Sequence, residues 1–214
     1  MSNESTKRII SSLVIFPIAL FFIIKGTFYY AFFLSIFLLI LLAEWIKMNK
    51  KKSYKFFGSL FLILSTISAY ILREYSLIIF LYVILICIAT DIGGYIFGRV
   101  FKGPKLIKIS PNKTYSGMLG SFILSIIIGY FFINEFTNYF YYHLEISSNH
   151  VSSLFLSLIV STISQFGDLI ISYFKRLNKI KDTGKILPGH GGLLDRVDGM
   201  LFSIPFVYLL TLIF

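Results

Sequence analysis

Two aspartates three residues apart, Asp195 and Asp198, follow a glycine-rich turn, Gly189-His-Gly-Gly192. Carboxylates at that spacing lie on one face of a helix start, near its positive end, and can share a hard cation, usually magnesium when phosphate oxygens complete the shell. By itself an Asp-x-x-Asp pair more often caps a helix. A third carboxylate, Asp168, shifts the balance. Gln165, Asp168, Ser172 and Lys175 recur at helical spacing on an otherwise apolar segment and so share one face. Such a stripe lines a cavity, hydrogen-bonds neighbouring helices, or buries an Asp and a Lys as an ion pair. Asp91 is a second acid inside an apolar run. It opens Asp-Ile-Gly-Gly-Tyr-Ile-Phe-Gly-Arg99, where Gly94 and Gly98 permit a close helix approach. The stretch Ser172 to Asp198 also concentrates cations: Lys175, Arg176, Lys179, Lys181, Lys185 and Arg196 lie within it, beside Asp182.

These groups must be positioned by a chain that is 57% hydrophobic, 18% aromatic and only 14% charged over 214 residues. That composition excludes a soluble globule of this size and fits an all-α, polytopic membrane protein. Apolar runs at Ile9–Ile24, Thr27–Ile46, Phe56–Leu72, Ser76–Phe97, Gly117–Ile133, Val151–Phe174 and Met200–Phe214 give about seven transmembrane helices, judged against the roughly 20 residues a span needs. The first and last are short. The net charge of +10 sits in loops between spans, which points to an anionic membrane surface or phosphate-bearing substrates, with no nucleic acid. The single cysteine, Cys87, falls in an apolar run and reads as a buried, inert thiol. Glu44, beside Trp45 at the end of the second run, reads as interfacial. The segment Asn134–His150 reads as an outward loop with solvated histidines at His143 and His150.

The pattern Ser-x-Phe-Lys-Arg, four residues, Lys-Asp-x-Gly-x-x-Leu-Pro-x-His-Gly-Gly-Leu-x-Asp-Arg-Val-Asp, from Ser172 to Asp198, resembles the signature of the phosphatidate cytidylyltransferase (CDP-diacylglycerol synthase) family throughout. Upstream, Asp91–Arg99, Ile109-Ser-Pro-Asn-Lys-Thr-Tyr-Ser-Gly117 and Gln165-Phe-Gly-Asp168 are similar to further segments of that family. The chain departs from the usual pattern at Asn112, where Lys is common, and at Ser116, where Glu is common. The resemblance covers residues 85 to 205 or so and divides the chain. Residues 1–84 are helices without a motif, and residues 85–214 form a catalytic region with cytoplasmic loops 98–116 and 175–197.

The resemblance implies the reaction of CTP with phosphatidate to give CDP-diacylglycerol and pyrophosphate, in phospholipid biosynthesis, at an active site on the cytoplasmic membrane boundary. It implies Asp168, Asp195 and Asp198 as metal ligands, with Asp91 and Asp182 as second choices. Lys175, Arg176, Asp195 and Arg196 become the catalytic group, and Lys113, Thr114, Gln165, Ser172, Lys181, His190, Gly191 and Gly192 the substrate contacts. Magnesium is the implied cofactor; a monovalent cation such as K+ beside it, and a homodimer, are left open. The alternatives are a related membrane kinase of isoprenoid alcohols and a non-enzymatic transporter that binds lipid on its basic loops.

Orientation follows from charge. With the N-terminus and the catalytic loops on the cytoplasmic side of the cell (inner) membrane, only Lys25 and Arg73 of the twenty Lys and Arg fall outside. That asymmetry matches the positive-inside rule for seven spans. A reporter fused at Phe214 should therefore be active only in its extracytoplasmic form; activity of a cytoplasm-specific reporter there would refute the count.

Overall fold

A computed structural model describes residues 16–107, 110–144, 150–184, 186 and 191–213. The start of the first apolar run and His190 lie outside the described residues. Eight helices are present among them: α1 (Phe16–Lys25), α2 (Thr27–Met48), α3 (Lys52–Tyr75), α4 (Leu77–Phe101), α5 (Tyr115–Glu135), α6 (Thr137–Leu144), α7 (His150–Leu177) and α8 (Leu194–Leu210). Four of them, α2 to α5, and the part of α7 from Leu154 to Leu177 are long and apolar enough to cross a membrane. The chain is an all-α polytopic membrane protein. Length and composition support five spans; α1, as described, and α8 fall short of that criterion.

Two segments read from the sequence as loops carry regular structure. Within 98–116, β1 (Lys105–Ile107) pairs antiparallel with β2 (Ser110–Thr114), Lys105 opposite Thr114 and Ile107 opposite Ser110. A two-stranded ribbon has only edge strands, so Pro111 is tolerated in β2 although it has no N–H to donate. Within Asn134–His150, α6 forms because Phe140 and Leu144, four apart, are buried on one face. His143 accordingly stacks edge-to-face on Tyr75, with ring centroids 4.7 Å apart, and is not a solvated loop residue.

Small residues and hydroxyl groups bring the helices together. Ser76 caps α4, accepting the N–H of Ile79, and Thr114 caps α5, accepting that of Gly117 at 3.1 Å. The close approach expected of Gly94 and Gly98 occurs against α5, where Gly117 and Gly120 are the facing glycines. Gly93 is tighter still: a Cβ there would stand 2.5 Å from the carbonyl oxygen of Gly120. At the α7–α8 crossing, a Cβ on Gly167 would meet the backbone oxygen of Asp198 at 2.8 Å, and Gly199 packs on Ser164. Pro205 lies inside α8 and cannot donate to Leu201 O four residues earlier. Ser65 of α3 supplies that bond instead, its hydroxyl donating to Leu201 O at 2.7 Å.

The two glycine contacts aim the acids, since α4 carries Asp91 while α7 and α8 carry Asp168 and Asp198 beside their crossing point. Gly93→Val would force α4 and α5 apart and should cost about 1–3 kcal/mol, as overpacking of a tight contact does. Thermal unfolding in detergent checks this; an unchanged midpoint would contradict the α4–α5 packing.

Candidate active site

The helix ends and the β-ribbon enclose a cleft of about 270 Å³ lined by Asp91 and Gly94 of α4, Ser110, Lys113 and Thr114 of the ribbon, Gly117 of α5, and Gln165 and Asp168 of α7. Four residues singled out in the sequence for substrate or metal, together with Asp91, thus meet in one cavity. Lys113 reaches across it to Asp168, Nζ to Oδ2 at 2.5 Å, with both side chains a little over a quarter exposed. Ser172, one turn further along α7, donates to Asp168 Oδ1 at 3.2 Å. Gln165 donates to Ser161 on its own helix at 3.4 Å, and Ser161 in turn accepts from Thr90 of α4.

Asp198 is buried, 8% exposed, and accepts the N–H of Gly199 at 2.9 Å. Asp91, Asp168 and Asp198 come close enough for their charges to repel one another, while Lys113 and Arg196 attract Asp91 and Lys175 attracts Asp198. Among the described residues no three His, Cys, Asp or Glu side chains converge as a ready-made metal cage. The donor chemistry nevertheless fits magnesium, which is held in nucleotide sites by one or two carboxylates, with water and phosphate oxygens filling the rest of its octahedron.

Asp195 stands in a second constellation, outside the lining of the cleft. α7 ends in a Schellman turn: Lys179 is left-handed at φ 57°, its N–H bonds to Arg176 O at 3.0 Å, and the N–H of Ile180 bonds to Lys175 O at 3.0 Å. This reversal folds the following loop back over Lys175. The Lys175 ammonium, on a residue 9% exposed, donates to Asp195 Oδ1 at 2.8 Å. The other oxygen, Oδ2, accepts the N–H of Thr183 at 2.8 Å, the Thr183 hydroxyl at 3.0 Å and the N–H of Gly192 at 3.0 Å. Both oxygens of Asp195 are therefore occupied by this chain's own donors. The arrangement is the ion pair that the sequence left open for a buried Asp and Lys, with Asp195 as its acid.

The remaining expected contacts divide by exposure. Arg176, Lys181, Asp182 and Arg196 are exposed around the loop, and Arg176 Nη1 donates to Ile180 O at 3.2 Å. Gly191 takes φ +86°, a conformation that suits glycine, and Gly192 presses against Thr183 and Glu44.

Glu44 is the residue that sequence reasoning misplaced. It is 3% exposed, buried rather than interfacial, and it reaches from the end of α2 to the start of α8. Its oxygens accept the N–H groups of Leu193 and Leu194, each at 2.9 Å, and lie 3.1 Å from the Thr183 hydroxyl. The burial has a cause in packing: Trp45 donates to Tyr54 O at 2.9 Å and stacks edge-to-face on Phe174, which draws this turn of α2 under the loop. An acid inside the apolar run Thr27–Ile46 was the available signal, masked by its closeness to Lys47.

The fold defines an integral membrane protein, and its cleft sets Lys113 opposite Asp168 with Asp91 in the same wall. Residues 59–214 match the Cytidylyltransferase family, and the chain belongs to that family. It is 39% identical over 144 residues to a phosphatidate cytidylyltransferase of Staphylococcus haemolyticus, an alignment covering 67% of this chain and 52% of that protein. Against the protein of that name in Bacillus subtilis the identity is 35% over 144 residues, covering 67% and 51%. Against that of Haemophilus influenzae it is 37% over 133 residues, covering 62% and 45%. The chain thus spans about half the length of the curated relatives it matches.

Lys175→Met would leave the Asp195 carboxylate buried without its cation, and should destabilise the protein by about 3 kcal/mol. Adding Asp195→Asn to it should cost clearly less than the two single losses summed. Thermal unfolding of the two single variants and the double variant checks the coupling; strict additivity would mean that the pair does not interact.

Proposed function

We propose that this chain transfers the cytidylyl group of CTP to phosphatidate, forming CDP-diacylglycerol and releasing pyrophosphate. A phosphate oxygen of phosphatidate attacks the α-phosphorus of CTP, the α–β anhydride bond breaks, and pyrophosphate carries away the electron pair. The attacking phosphate is already ionised, so the reaction asks little of a general base. Its difficulty is electrostatic, because two polyanions must meet.

The observation that carries this reading is the Lys113–Asp168 pair across the cleft, with Asp91 in the same wall. A partly exposed lysine and carboxylate, held opposite each other at an open cavity, can exchange each other for a phosphate and a cation. Lys113 would then neutralise a nucleotide phosphate, and Asp168 with Asp198 would hold magnesium. Bound there, that ion would supply charge neutralisation at the phosphates and at the departing pyrophosphate. Lys181 and Arg196, on the exposed rim, add positive charge for the nucleotide. Lys175, committed to Asp195, acts by holding the loop that presents them.

The lipid half of the reading has its own support. A second, apolar cavity of about 200 Å³ between α1, α2, α3, α4 and α8 has Val197 in its wall, between Arg196 and Asp198 in the chain. An acyl chain entering sideways from the bilayer would leave its phosphate beside the acids. In this reading the protein sits in the cell membrane with loops 98–116 and 175–197 on the cytoplasmic side, where CTP is.

Purified protein in detergent, given phosphatidate and CTP, should release pyrophosphate in a magnesium-dependent manner. Asp168→Asn should lower that rate by about 100-fold or more and raise the magnesium requirement. Release at the normal rate and magnesium optimum by Asp168→Asn would overturn the assignment, and no release by the unaltered protein would overturn the activity.

A further inference from the structure

α8 begins without a cap of its own. Its N-cap residue is Leu193, at φ −66° and ψ −40°, and a leucine side chain has no acceptor to offer. The first N–H groups of a helix have no partner within it, and they carry the positive end of its dipole, roughly half an elementary charge. In the low dielectric near a membrane this end needs an anion. Asp195 in its own first turn takes the N–H of Gly192, ahead of the helix, and the anion on Leu193 and Leu194 comes from a distant part of the chain: Glu44 accepts from both, 149 and 150 residues away in sequence. The family match covers residues 59–214, so this cap comes from outside the matched segment.

Glu44 does more than close a helix end. Its Oε2 and Asp195 Oδ2 lie 3.1 and 3.0 Å from the same Thr183 hydroxyl, and Asp195 in turn holds Lys175. A hydroxyl has one proton, so Thr183 donates to only one carboxylate at a time and couples the two. The loop backbone is fitted to this arrangement: a Cβ on Gly184 would stand 2.5 Å from Glu44 Oε1. The end of α2 is pinned to α7 as well, since Asn178 donates to the buried Asn49 at 3.1 Å.

We propose that Glu44 is a positioning residue for the cytidylyltransferase reaction: by capping α8 from α2 and sharing Thr183 with Asp195, it fixes Thr183 and the start of α8, which carries Arg196 and Asp198. This rests on the function proposed above. It also assigns α2, a helix without a motif, a defined part in the site. Glu44→Gln keeps the size but replaces one acceptor oxygen by an NH2 group that faces the backbone N–H donors.

The test combines amide hydrogen exchange with pyrophosphate-release kinetics in detergent. In Glu44→Gln, exchange at the start of α8, in peptides covering 192–196, should rise by about tenfold, with α5 unchanged. At a temperature where the variant is fully folded, kcat should fall by about tenfold or more, the range seen when outer positioning partners of a site are lost. The KM for phosphatidate should stay within about twofold, because Glu44 does not line the apolar cavity assigned to the acyl chain. Glu74→Gln makes the same chemical change at the opposite end of α3, where Glu74 accepts from Thr27 N at 3.0 Å, and should leave kcat unchanged. Thr183→Val, which removes only the shared hydroxyl, should change both readouts in the same direction. Its effect should shrink in the Glu44→Gln background, and it carries the test alone if Glu44→Gln does not fold. Unchanged exchange, a normal kcat per folded protein, or additive effects of the two substitutions would each overturn the proposal. If the unaltered protein releases no pyrophosphate, the function fails, while the exchange measurement still decides whether Glu44 orders the start of α8.

Discussion

The start of α8 places a helix dipole, a buried acid and several unpaired N–H groups at one end of an apolar bundle. Left alone, each of these would be costly in a low-dielectric setting. They are resolved together by two carboxylates, Glu44 and Asp195, which between them accept from Gly192, Leu193 and Leu194 and share Thr183. Lys175 then balances Asp195. Because these bonds tie α2, α7, the intervening loop and α8 to one point, the orientation of Asp198 depends on them. The lysines and arginines of the loop depend on them as well.

A second constraint comes from close helix packing. Glycines at 93, 94, 117 and 120 let α4 and α5 touch backbone to backbone, and those at 167 and 199 do the same for α7 and α8. Each contact includes a residue within three positions of Asp91, Asp168, Asp198 or Thr114 at the end of the ribbon. In a bilayer, where apolar side chains gain little by leaving lipid for protein, such close contacts and interhelical hydrogen bonds are what hold helices in register. The bonds Thr90–Ser161, Tyr82–Ser157 and Ser121–Thr90 perform that service between α4, α5 and α7. The acids are thus brought together by small residues that carry no charge themselves.

The division of the carboxylates is a consequence of this geometry. Asp91 and Asp168 line the cleft, and Asp198 is buried beside the α7–α8 crossing. Asp195 has four donor groups around it. A partly exposed acid in the wall of a cleft is suited to a cation, and one ringed by the chain's own donors is suited to holding a loop.

Much of this was legible in the chain. Composition and run length determined the helical membrane class, and the family was legible only through the resemblance of the pattern from Ser172 to Asp198 to a known signature, which the match over residues 59–214 bears out. Spacing alone put Asp168, Ser172 and Lys175 on one face, since helical period is a local property. The sequence did not reveal which acid would meet which cation. Lys113 pairs with Asp168 and Lys175 with Asp195, 55 and 20 residues apart in the chain, and each pairing depends on how separate elements pack together. Glu44 is the clearest case. Its neighbours in the chain are an indole and a lysine, which suggest a membrane interface, but its partners lie some 150 residues on. An acid's environment is set by what folds over it, and only the tertiary structure decided that the start of α8 would do so.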